Sequence, residues 1–178
     1  MENQKPSVLG NCLRYALILA VISILYSLLL YSLGQMQNKV LGFLAFAVLL
    51  VVMIWAVKDF RDKKSGGFVS FGTAFRIGFF TGLFAGIITG IYTYLFFKYF
   101  DPEMIGQMLA KAEENFIEQN PNMDDSQIEL AMSYTRRFMQ PAWMAFWGFL
   151  WNAVVSAVLG LIVAAIMKKE ENPMNSAV

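Results

Sequence analysis

Four uninterrupted apolar stretches constrain this chain more than any other feature. Tyr15–Leu33, Val40–Val57, Ile77–Phe97 and Trp143–Met167 contain no Asp, Glu, Lys or Arg. A helix rises about 1.5 Å per residue, so roughly 20 apolar residues cross the hydrocarbon core of a bilayer. The second stretch is the shortest of the four and still unbroken. Composition agrees: 57% of the 178 residues are hydrophobic and only 15% charged, where a soluble domain carries about 25% charged residues. The expected fold is all-α, a polytopic membrane protein with four transmembrane helices in a single integral membrane domain spanning residues 1–178. The first stretch reads as a span and not a signal peptide, because its apolar core exceeds the usual ~7–15 residues and no cleavage triplet follows. Leu9-Gly10-Asn11-Cys12 is like a lipidation site, but here the apolar segment follows the cysteine. Cys12 therefore reads as an ordinary thiol at a helix entrance.

Lys and Arg divide unevenly between the two sides. Lys58, Arg61, Lys63, Lys64 and Arg76 lie between the second and third spans, Lys5 and Arg14 precede the first, and Lys168 and Lys169 follow the fourth. The other side has Lys39, Lys98, Lys111, Arg136 and Arg137, mostly spread over one long segment. Positive residues accumulate on the cytoplasmic side, which predicts cytoplasmic N- and C-termini and a cytoplasmic Lys58–Arg76 loop in a multi-pass protein of the bacterial inner membrane. Ser65-Gly66-Gly67 turns the chain, and Ser70 suits a helix cap. The basic run has two readings: a topology signal alone, or also a headgroup contact through Arg61, Lys63, Lys64 and Arg76. In the second, Arg76 sits in a first helical turn, where the macrodipole disfavours a cation unless an anion such as a lipid phosphate is close.

Beyond Arg76, Gly78, Gly82, Gly86 and Gly90 recur every fourth residue, and the last span carries Gly148, Asn152, Ser156, Gly160 and Ala164 at the same interval. Lipid tails are as apolar as leucine, so membrane helices associate through close packing, which rows of small residues permit. The two rows predict that the third and fourth spans pack on other helices, most simply on each other, with a right-handed crossing. Asn152 is the most polar residue well inside a span. It either hydrogen-bonds across helices, with Ser156, Thr81, Thr89, Ser23 or Ser27 as partner, or lines a substrate path.

The segment 101–140 reads as an external amphipathic helical hairpin between helices three and four. Asp101-Pro102-Glu103 is a helix start, and Ile105, Met108, Leu109, Ala112 and Phe116 follow at helical spacing. Asn120-Pro121-Asn122 breaks the pattern, and Ser126 with Glu129 predicts a capping box for a second helix. Acids outnumber bases eight to four between Lys98 and Gln140, so anionic lipid is not an obvious attraction. The apolar sides would cover the bundle mouth or dock a partner protein.

Chemistry-bearing groups are sparse. The chain has no histidine and one cysteine, which leaves no pairing for general-base or nucleophilic catalysis. Glu113, Glu114, Glu118, Asp124, Asp125 and Glu129 read as a solvated face, without the loop pattern of a calcium site. No catalytic, cofactor or metal set is expected, and net charge near +1 with no basic aromatic face excludes nucleic acid. Membrane lipids, with a protein partner or a homo-oligomer, are the expected partners.

Several features together resemble a known family. They are the Phe60-Arg61-Asp62, Gly66-Gly67 and Ser70-Phe71-Gly72-Thr73-Ala74-Phe75 loop running into the glycine row, the aromatic-Asp101-Pro102-Glu103 exit, and a small-residue last span ending in Lys168-Lys169. The chain is similar over nearly its whole length to the domain-of-unknown-function 4199 family of bacterial membrane proteins. That resemblance implies a small four-helix inner-membrane protein with a periplasmic hairpin, and it supplies no activity. Two functions are consistent with the residues: a scaffold or accessory subunit, and a small transporter or lipid-handling protein acting as an oligomer or with a partner.

Overall fold

The computed structural model describes residues 7–170; Lys5, one of the charges counted on the basic side, lies outside them. Six helices follow in order: α1 (Val8–Ser32), α2 (Lys39–Lys64), α3 (Phe71–Leu95), α4 (Glu103–Gln119), α5 (Asp125–Phe138) and α6 (Pro141–Met167). A π-helical turn, Phe96–Phe100, extends α3. Helices α1, α2 and α6 and the extended α3 are each long and apolar enough to cross a membrane.

The helices overrun the apolar stretches that announce them. Helix α1 begins seven residues before Tyr15, where the Ser7 hydroxyl accepts from the Gly10 amide at 3.1 Å. Helix α2 continues through Lys58, Arg61, Lys63 and Lys64, so the expected Lys58–Arg76 loop shrinks to residues 65–70. Cations in a last helical turn face the negative end of the macrodipole, which favours this extension. Gly66 and Gly67 then turn the chain at φ 63° and 89°, a region that costs glycine nothing. Ser70 caps α3 as its sequence suggests, accepting from the Thr73 amide at 3.3 Å. Because α3 starts at Phe71, Arg76 falls in its second turn and not its first.

The described chain groups into two compact units. One comprises α1, α2, α3 as far as Thr89 and α6 from Leu150. Its interior holds Tyr15, Ala16, Leu19, Val52, Met53, Ala56, Ile77, Ala85 and Val163. Its outer side is no less apolar: Leu13, Leu17, Val21, Leu25 and Leu29 of α1 are all exposed at four-residue spacing. A solvent of acyl chains explains that inversion, since what distinguishes inside from outside is fit and polarity, not hydrophobicity. A two-residue antiparallel bridge closes one end, with the Val69 amide donating to the Lys169 carbonyl at 2.8 Å and the reverse bond at 2.9 Å.

The second unit runs from Gly90 to Phe149. Asp101 caps α4 by accepting from the Met104 amide at 3.1 Å. Asn120, Pro121 and Asn122 separate α4 from α5 as the sequence indicates, and the two helices pack together. The cap of α5 differs from the expected box. Asp124, not Ser126, accepts from the Gln127 amide at 2.9 Å, while the Ser126 hydroxyl donates to the same carboxylate oxygen at 2.7 Å. The charged acceptor two residues earlier takes the capping position, leaving Ser126 inside the first turn.

Candidate functional site

Two constellations stand out in the unit built from α1, α2, α3 and α6. The first is the seam between α3 and α6. A methyl group built on Gly78 would lie 3.3 Å from the Gly160 Cα, and one on Gly160 would lie 3.3 Å from the Phe79 amide nitrogen. Backbone meets backbone there. At Gly82 the added carbon would come within 2.8 Å of the Ser156 Cβ and the Met53 Cε, and at Gly86 within 2.6 Å of the Asn152 Oδ1. Gly78, Gly82, Gly86, Ser156, Gly160 and Asn152 are thus brought together. Asn152 accepts from the Ser156 hydroxyl at 3.3 Å, one turn along its own helix. Gly148 falls in the second unit, where it is exposed with nothing within 4 Å of a built Cβ. Gly90, in that same unit, has room for a methyl, 3.7 Å from the Ala145 carbonyl.

The second constellation is a buried polar knot between α1 and α2. Asn11 is fully buried; its amide donates to the Ala56 carbonyl at 3.0 Å, and its carbonyl accepts from Lys64 Nζ at 3.1 Å. One turn along α1, Tyr15 is buried at 2% exposure. Asp59 is 6% exposed and paired with Lys63 at 2.6 Å. A buried carboxylate is costly unless paired and hydrogen-bonded; here it is both. The ammonium of Lys63 stays in the exposed region, reaching back along a flexible stem. Beside the knot, the Cys12 thiol is buried and donates to the Ile77 carbonyl at 3.8 Å, tying α1 to α3. Cys12, near the start of α1, therefore lies within the packed interior.

The residues proposed from sequence for lipid headgroups have divergent surroundings. Arg61 pairs with Asp62 at 2.7 Å, Lys63 with Asp59, and Lys64 with Asn11. Arg76 is exposed and forms no ion pair among the described residues. The knot went unread in the sequence because its members flank the apolar stretches. Its signal was the pairing of Asn11 with Tyr15 and of Asp59 with Lys63 at one helical turn.

Four long apolar helices enclosing a polar knot and a glycine seam define a multi-pass helical membrane protein. The chain belongs to the family described as protein of unknown function, DUF4199, whose model matches residues 14–169. No curated protein and no solved structure matches it.

Proposed function

We propose that this protein is a scaffold or accessory subunit of the bacterial inner membrane, with cytoplasmic termini, an external α4–α5 hairpin and no reaction of its own. The observation that carries this reading is where the polar groups of the first unit are spent. Asn11, Lys64 and Cys12 bond to neighbouring helices, Asp59 is paired with Lys63 along its own helix, and Asn152 is occupied by Ser156 of its own helix beside Gly86. Groups committed to holding helices together serve a rigid platform. A carrier needs polar groups free to exchange partners with a substrate.

Purification in a mild detergent, followed by identification of what copurifies, tests the proposal. A protein retained at a fixed ratio to this chain is the expected result. A chain that emerges alone with tightly held lipid would overturn the scaffold reading in favour of a lipid-handling or transport protein.

A further inference from the structure

Helix α5 has a second apolar side that the hairpin does not use. Ile128, Ala131, Met132 and Thr135 are buried or half-buried, and α5 packs on α4. Turned away from them are Leu130, Tyr134 and Phe138, which are 59%, 59% and 51% exposed. They lie at intervals of four residues, so they form one stripe about 12 Å long. Three large apolar side chains left in water forgo the favourable transfer that burial would give each of them, and a stripe of this kind calls for an occupant.

The neighbouring helix indicates which occupant. The Phe138 ring lies 6.4 Å from that of Trp143 and 6.5 Å from that of Trp147. Trp143, Phe146 and Trp147 are themselves 40–48% exposed in the first turns of α6, a helix long and apolar enough to span. Trp and Tyr gather at the membrane–water interface. Positions nine apart on one continuous helix would be about 13 Å apart along the axis and on opposite faces. Contact between Phe138 and Trp147 therefore requires a sharp bend at Met139 and Gln140, which swings α5 off the α6 axis. The stripe continues the aromatic surface that α6 offers to lipid.

We propose that α5 lies in the lipid–water interface of the bilayer that α6 crosses, with Leu130, Tyr134 and Phe138 against the acyl chains. Arg137 lies about 20° from Leu130, on the edge of the stripe away from Tyr134, where it reaches the phosphates by extending its stem. Between Asp125 and Phe138 two acids balance two arginines, so of the two forces that seat interfacial helices, apolar area and attraction to anionic lipid, the first dominates here. This inference holds for either orientation of the protein and does not depend on the scaffold reading.

The test uses the full chain in phosphatidylethanolamine–phosphatidylglycerol vesicles. A nitroxide is attached to Leu130→Cys, Tyr134→Cys or Glu129→Cys, and its collisions with oxygen and with a water-soluble nickel chelate are compared. Cys12 is 1% exposed and stays silent, and the unsubstituted chain measures any background. Labels at 130 and 134 are expected to collide with oxygen several times more, relative to nickel, than the label at 129, reporting a depth of about 5–10 Å. Water-like collisions at all three sites would overturn the proposal, because the hairpin would then stand free in solution. So would labels at 130 and 134 shielded from both probes, which would place protein over the stripe.

Discussion

Gly82 and Gly148 lie on the two small-residue rows, yet their surroundings are opposite. Any side chain on Gly82 must displace Ser156 and Met53, whereas Gly148 faces open space. Gly82→Leu is expected to destabilise the protein by about 1–3 kcal/mol or more through overpacking, with Gly86→Leu similar because Asn152 blocks it. Gly148→Leu should change stability little. Thermal unfolding in detergent checks this, and equal shifts for Gly82 and Gly148 would refute a contact seam at Gly82. Small size alone does not separate the two positions; what stands opposite each does. The seam was therefore legible in the sequence as a pattern, but its end was not. The polar knot left only a faint mark, two pairs at one-turn spacing, because Asn11 and Asp59 lie beyond the apolar stretches and reading a span by hydropathy alone stops short of them. Their burial follows from the helices running on past the greasy core.

Elements begin and end where local chemistry allows, and α5 shows how narrowly. Asp124 supplies the acceptor for its first turn, and its carboxyl is held below the ordinary aspartate range, first by the Ser126 hydroxyl and then by the Gln127 amide. A lowered value in the folded state means that this contribution is fully present above the ordinary aspartate value. It is lost as pH falls through the lower, folded one. Amide protection at Gln127, corrected for intrinsic exchange, is therefore expected to be flat from neutral through mildly acidic pH and to fall only in strong acid. Asp124→Ala should lower it at neutral pH, leaving only the bond from the Gln127 amide to the carbonyl of residue 124. Protection that fades in mild acid in the native chain would assign the cap to another group. The four spans and the hairpin were all readable as elements, because hydropathy and turn residues act over ten or more positions. Individual boundaries were not. Ser126 with Glu129 satisfies the capping-box spacing, and only the competing carboxylate at Asp124 decides otherwise.

At the scale of the whole molecule, the orientation rests on nine basic residues against five. Tags at the N-terminus, within residues 65–67 and at the C-terminus are expected to be reachable only from the cytoplasm, and a tag at Asn120 only from outside. A reporter at 65–67 that labels from outside intact cells would reverse the assignment. Pairing α3 with α6 also orders events in time. Gly160 follows Gly78 by eighty-two residues, so at about 5–20 residues per second the ribosome needs roughly 4–16 s to supply the partner of the glycine row. Throughout that interval the flat, side-chain-poor flank of α3 is already made and still unpartnered. Newly made α3 is thus a transient binding surface, and biogenesis must shield it from other glycine-lined helices until α6 arrives.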